Sequence, residues 1–490
     1  MLETAERAAA APLNLPADGL VAVVKRDCPT CVLVAPLIKE LSDRGVPITV
    51  YSQDDPSFPD GLSGVRYDDD LGSSFGLNIE FVPTVIRMEA GREAERIFGW
   101  SRAQWQALTG IPDLGKTLPD MRPACGSKTT DPGMQARLKV RFSQTGLASR
   151  RIPVPREIDP LELVHERGWS DGLPLVPPTE ERVMLMLEGT ARDPKEVVGL
   201  MPPNRVECTV EKIAINAVMA GCKPEYLPVV ITAVEAALIP EFGLHGVLAT
   251  TNAVAPVIMV NGPIAKGIGM NSKGNVLGQG FRANATIGRA LQLVVRNVGG
   301  GRPQEVDRAV FGNPGKYTFC FAEDEDDGIW PTYAEERGFK RGTSTVTLFP
   351  GDGNTPIIDH ISREPEGLVQ SYAGCLRSLY NPGQINDVSA FILVSPEHAQ
   401  VFYDAGWSKQ RVKDELYARL KLRRDEILEG RQGIGSMKPE DLTDPNRLFP
   451  KFRTGSLNLA RAGGSAGKYS AIISGLGSIT INPCIKEVRL

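Results

Sequence analysis

The chain has 490 residues, 42% hydrophobic and 23% charged, more than one core normally encloses, so two or three globular domains are expected. A net charge of −4 provides no basic footprint for nucleic acid or an anionic lipid surface. No apolar run approaches the roughly 20 residues of a membrane helix, and the opening Met-Leu-Glu-Thr-Ala-Glu-Arg lacks a secretory signal's basic start and apolar centre; a cytoplasmic protein without membrane or nucleic-acid partners is expected.

Residues 1–17, rich in alanine, read as a short lead-in. An apolar strand, Val21 to Val24, then runs into Cys28-Pro-Thr-Cys31 and an amphipathic helix beginning Val32-Leu-Val-Ala. A thiol at a helix N-terminus sits at the positive end of the backbone dipole, which favours its thiolate. Cys28 is therefore the expected nucleophile, and Cys31, one turn further in, is placed to resolve a mixed disulfide. Val46–Tyr51 and Phe81–Met88 read as further strands, Gly91 turns the chain into Glu93–Phe98, and Ser101–Leu108 closes as a helix.

This order of elements, with the CxxC pair and the Val-Pro83-Thr step, resembles the thioredoxin family over residues 18–110. The resemblance implies that Pro83 is a cis-proline beside the cysteines and that a redox-active Cys28–Cys31 disulfide is the working group, with no other cofactor assigned. Asp27 stands where the family usually carries tryptophan, and a carboxylate there is expected to raise the thiol pKa. A zinc knuckle is the alternative use of such a pair, but no second CxxC or CxxH lies nearby, so no metal site is expected.

Residues 111–158, with many Pro, Gly, Ser, Thr and Arg, read as an extended connector. Within it, Cys125-Gly-Ser-Lys128 resembles the Cys/Sec-Gly-Ser-Cys motif of the UGSC family of (seleno)proteins, with Lys128 in place of the second cysteine. A lysine there favours the Cys125 thiolate; an exposed cysteine without a role is the alternative.

From 159 to 490 the chain reads as a large mixed α/β domain, with two subdomains possible. Thr179 and Thr209 are N-caps of helices, Gly221 stops the second, and its partner helix runs from Lys223 to Leu238. Val257–Gly262, Thr345–Phe349 and Phe391–Val394 read as buried strands, and Ala399–Ala405 as a helix. Strands alternating with helices argue for an α/β layer architecture, and no internal repeat is evident. Phrases such as Gly168-Trp-Ser-Asp-Gly-Leu-Pro resemble large bacterial proteins grouped with UGSC, a likeness that implies no particular activity.

Two polar constellations stand out here. Lys266 to Arg289 is a glycine-rich loop before a helix, the arrangement that exposes backbone N–H groups to an anion. Asn271, Asn275, Arg282, Asn284 and Arg289 are its candidate ligands, with Lys316 further on. Arg282, Arg289 and Arg296 recur at seven-residue spacing on one helix face; pairing with acids is the alternative use of these arginines. In the second constellation, Cys320 and Glu323 lie near Lys316 on a strand running into an acidic loop and are candidates for a nucleophile and a proton relay. Cys375, after Gly374, is expected to open a turn and is a further candidate.

The leading expectation is a thiol-dependent oxidoreductase or sulfur-handling enzyme: Cys28 attacks, Cys31 resolves, and Cys125, Cys320 or Cys375 is the opposite thiol. Its partners would be a small anionic substrate and an external thiol reductant. One alternative is a non-redox lyase, hydrolase or biosynthetic enzyme acting on a small anion, with the CxxC module accessory. Another is an oligomeric binding protein, and a homo-oligomer is expected in any case.

Overall fold

A strand that is apolar at nearly every position must be covered on both faces, and Gly19–Val24 is such a strand, buried from Leu20 onward. The computed structural model describes residues 1–3, 15–143, 145–155, 157–428, 439–476 and 483–489. Most of the lead-in, residues 4–14, lies outside the described residues. The chain is a mixed α/β protein of two units, residues 4–146 and residues 1–3 with 147–490.

The small unit runs β1 (Gly19–Val24), α1 (Pro29–Asp43), β2 (Ile48–Ser52), β3 (Arg66–Tyr67), β4 (Phe81–Val82), β5 (Thr84–Glu89), β6 (Arg92–Phe98), α2 (Arg102–Thr109), β7 (Cys125–Gly126) and α3 (Met134–Phe142). Its sheet has the order β3-β2-β1-β5-β6, parallel from β3 to β1 and antiparallel from β1 to β6. Helix α1 buries Val34, Leu37, Ile38 and Leu41, the stripe that a 3.6-residue period places on one face. The segment read as the start of a connector folds inside this unit. Residues 121–122 pair with 100–101, and β7 pairs antiparallel with β4, setting Cys125 opposite Val82. Gly99 makes this approach possible: its φ is +72°, and a Cβ there would stand 2.8 Å from the Ala124 nitrogen.

In the large unit the elements that matter are α4 (Val210–Ala220), α5 (Leu227–Ala237), β8 (Ala255–Asn261), α6 (Arg282–Val294), β9 (Cys320–Ala322), β10 (Thr345–Ile358), α7 (Pro365–Arg377), β11 (Val388–Val394), α8 (Pro396–Asp404), α9 (Lys409–Arg419), β12 (Leu457–Arg461), β13 (Tyr469–Leu476) and β14 (Cys484–Glu487). Thr179 and Thr209 cap their helices as expected, and Gly221 ends α4 with φ +88°. The expected strand from Thr345 to Phe349 runs on to Ile358, because a bulge near Asp352 lets β10 change partners, from β8 to β13.

The sheet order β9-β8-β10-β13-β11-β12 hides a duplication that the sequence does not display. In each half a strand (β8, β11) is followed through helices by a parallel neighbour (β9, β12) and then by an antiparallel strand on its other side (β10, β13). Alternate side chains divide between two environments, as the two-residue strand period requires. Val257, Met259, Phe391 and Leu393 meet in an inner cluster, with the Phe349 and Phe391 rings stacked at 4.4 Å. Ile258 and Val260 face the core formed with α4, α5 and α6, whereas Ala390, Ile392 and Val394 face α7, α8 and α9. The Asp324 N–H donates to the Arg461 carbonyl at 2.8 Å, so the ends of edge strands β9 and β12 meet. Among the described residues no single helix is long and apolar enough to cross a membrane.

Candidate functional site

Three of the predicted cysteines and the predicted proline converge in the small unit. Cys28 is the N-cap of α1: its backbone is extended, Pro29 occupies the first helical position, and the Cys31 N–H donates to the Cys28 sulfur at 3.3 Å. The Val82–Pro83 peptide is cis. The Cys28 sulfur lies 3.6 Å from the Val82 carbonyl oxygen, and Val82 is the residue that β7 pairs with Cys125. Cys125 is thereby brought within hydrogen-bonding reach of Cys28, as Cys31 is from within α1. Both CxxC residues are held as thiols and are almost fully buried, while Cys125 is half-buried.

These contacts separate the three thiols chemically. Hydrogen bonds from the Cys31 thiol, then from the Cys125 thiol and from the Cys31 and Thr30 N–H groups, outweigh burial and hold the Cys28 thiol down at about 5. Burial, reinforced by donation to Cys28, pushes Cys31 well above the ordinary thiol range. Cys125 is raised for the same two reasons. Asp27, expected to raise the Cys28 thiol, is exposed and spends its N–H on the Asp54 carboxylate at 2.9 Å. A lysine charge does lower Cys125, but it belongs to Lys25 rather than Lys128; the Lys128 backbone N–H donates to the Gln53 side-chain oxygen at 3.1 Å and helps to hold the strap that carries Cys125.

The strap that delivers Cys125 is anchored on both sides. Thr30 donates its hydroxyl proton to the Pro123 carbonyl at 2.7 Å, which ties the strap to the first turn of α1. Gln53 donates to the Ser127 and Ser74 hydroxyls at 2.7 and 2.9 Å, within a buried network that continues to Asp68. Thr30 and Ser127 stand inside the CxxC and Cys-Gly-Ser phrases, but neither phrase marks them as anchors, and Gln53 belongs to no motif. Their separation of up to 97 residues along the chain concealed the site, and the short Cys-Gly-Ser phrase was the one local signal for it.

The remaining candidates lie in the large unit. Cys320 is buried in the core beside α6, and burial pushes its thiol far up. Glu323 is buried at the end of β9; burial raises its carboxyl, while Lys409 at 3.4 Å, Asn261 at 2.6 Å and the Tyr333 N–H at 2.7 Å support the charged form. Cys375 opens no turn: it lies inside α7, and burial raises its thiol.

The polar loop is committed to its own architecture. Asn271 and Asn284 clasp each other, the Asn271 N–H donating to Asn284 Oδ1 at 2.9 Å and Asn284 Nδ2 returning a bond to the Asn271 carbonyl at 3.0 Å. Asn275 holds a left-handed turn, with φ +58°, by donating to the Gln279 carbonyl. Arg282 donates to the Gly221 carbonyl at 2.9 Å, Arg289 forks onto Asp171 with two bonds of 2.8 Å, and Lys316 pairs with Asp307 at 2.6 Å. Each of these six groups thus has a partner within the fold, and for Arg289 and Lys316 that partner is an acid, as the alternative use of the basic groups anticipates. Among the described residues no group of His, Cys, Asp and Glu side chains has the arrangement of a metal site. No family model matches the chain, and no curated protein matches it.

Proposed function

We propose that the small unit is a thiol–disulfide oxidoreductase of the thioredoxin type, with Cys125 as a third working thiol. The observation that carries this reading is the placement of Cys28 as the N-cap of α1, beside the Val82–Pro83 step and with Cys125 set opposite Val82; these contacts lower the Cys28 thiol and leave its two neighbours higher. Three sulfurs of unequal acidity in hydrogen-bonding reach form a nucleophile with two competing resolving groups.

The exchange is written as two displacements. The Cys28 thiolate attacks one sulfur of a substrate disulfide; a Cys28–substrate disulfide forms, and the other substrate sulfur leaves as a thiolate. A second thiol then loses its proton to solvent and attacks Cys28, releasing the remaining substrate thiolate. Cys31 as resolver yields a Cys28–Cys31 disulfide, and Cys125 yields Cys28–Cys125. In both cases the protein loses two electrons and the substrate disulfide gains them. Two equivalents of an external thiol restore the protein. Stabilising the Cys28 thiolate favours the reduced protein, so the pair should act as an oxidant relative to an unperturbed dithiol.

The test is to oxidise the Cys31→Ser variant of the full chain mildly and map its disulfides by peptide mass spectrometry. A Cys28–Cys125 bond is expected. Cys28 found free, or joined only to an added small thiol, would remove Cys125 from the mechanism. A bond to Cys320 or Cys375 would transfer its role to the large unit.

A further inference from the structure

Arg289 and Arg296 lie seven residues apart in the same helical run, and their surroundings differ sharply. Arg289 is neutralised by Asp171 and also donates to the Leu173 and Pro174 carbonyls. Arg296 sits just past the end of α6, where the helix loosens into a π-helical turn, Val295–Gly299. Such turns are uncommon and occur disproportionately at functional sites. The Arg296 Nε and the Gln292 Nε2, four residues earlier, are both buried without a hydrogen-bond partner among the described residues. Asp171 and Glu305 attract the Arg296 charge and Arg302 repels it, but among the described residues no carboxylate forms an ion pair with it. A buried donor left unmatched in this way is costly unless something else completes it.

Both side chains line a cavity of about 570 Å³ in the large unit, within the size range of small-molecule sites. Its two carboxylates, Asp171 and Asp307, are already paired with Arg289 and Lys316, so the uncompensated charge on its wall is positive. Leu248, Val254 and Val295 provide an apolar wall. Phe311, 97% exposed, stands on the loop that forms another side.

We infer that this cavity binds a small organic anion, with its oxyanion head on Arg296 and Gln292 and its apolar body against Leu248, Val254 and Phe311. Carboxylate and phosphate monoester heads offer the same acceptor oxygens, and an arginine fork accepts either. The cavity is lined by residues of the large unit alone, and the inference does not depend on the thiol chemistry. Its anion specificity falls to Arg296, which was counted on the helix face from its spacing but was not among the candidate ligands.

The test is fluorine NMR on the full chain with three probes of similar shape: 4-fluorobenzoate, 4-fluorophenyl phosphate and neutral 4-fluorobenzamide. At least one of the two anions should bind, more tightly than the amide, and whichever is tighter identifies the head group. Arg296→Met should weaken that binding by about tenfold or more, the loss expected when a charge-assisted hydrogen bond is removed. Without ligand, the same variant should melt at an unchanged or higher temperature, because it removes an unpaired buried donor. Gln292→Leu should weaken the anion less and follow the same stability pattern. The inference fails if neither anion binds in preference to the amide, if Arg296→Met binds the anion as the parent does, or if both variants melt several degrees lower.

Discussion

Titrating Cys28 is the sharpest test of the three-thiol centre, and the pH profile is more informative than the rate. A thiol of ordinary pKa, about 8.5, is roughly 3% thiolate at pH 7, whereas one at about 5 is almost wholly ionised. Intrinsic nucleophilicity falls with basicity, with a Brønsted coefficient of about 0.4–0.5, so a gap of about 3.5 costs each thiolate roughly 40-fold in reactivity. The two factors nearly cancel at pH 7, and the alkylation rate there should be unremarkable. At pH 5.5 the ordinary thiol is only about 0.1% ionised, and Cys28 should lead it by roughly 20-fold. The assay is iodoacetamide alkylation of the reduced full chain from pH 4 to 9, with Cys28 followed by peptide mass spectrometry. The rate should rise through a midpoint near 5 and level off by pH 7. A rate still climbing through pH 8 would refute the argument that neighbouring thiols and helix N–H groups hold the proton off.

The same contacts predict a stability effect with a defined sign. A thiol lowered in the fold contributes stability above its unfolded pKa and loses that contribution as pH falls through the folded value. For Cys28 the window runs from about 8.5 down to about 5. Cys31 acts in the opposite sense above pH 8.5, where its raised thiol keeps a proton that the unfolded chain would release. Cys28→Ser should flatten the acid side of the reduced protein's stability profile.

Thr30→Val removes the bond that ties the strap to α1, worth about 1 kcal/mol, so Cys28 should be alkylated about fivefold faster through easier strap opening; an unchanged rate would show that the strap does not limit access. Lys409→Met leaves the buried Glu323 carboxylate without its cation and should cost about 3 kcal/mol at neutral pH in urea unfolding. Because burial already raises the Glu323 carboxyl, the folded variant takes up a proton more readily than the unfolded chain, so the penalty should shrink on acidification. A penalty independent of pH would contradict that assignment.

Local chemistry in the sequence was enough to place Cys28 at a helix N-terminus, Pro83 beside a strand, and Thr179, Thr209 and Gly221 at helix ends. These features depend on residues within one or two turns of each other: a cap accepts from an N–H three positions on, and a buried strand needs only a short apolar run. The strap, the duplicated sheet halves and the fate of the arginines depend on tertiary structure. Cys125 meets Cys28 only because β7 pairs with β4, and no local spacing encodes that register. Arg282, Arg289 and Arg296 are equivalent in the sequence. Their partners were decided by the Gly221 carbonyl and the Asp171 carboxylate, 61 and 118 residues away along the chain, which take up the Arg282 Nε and the Arg289 fork, while the buried Arg296 Nε has no partner among the described residues.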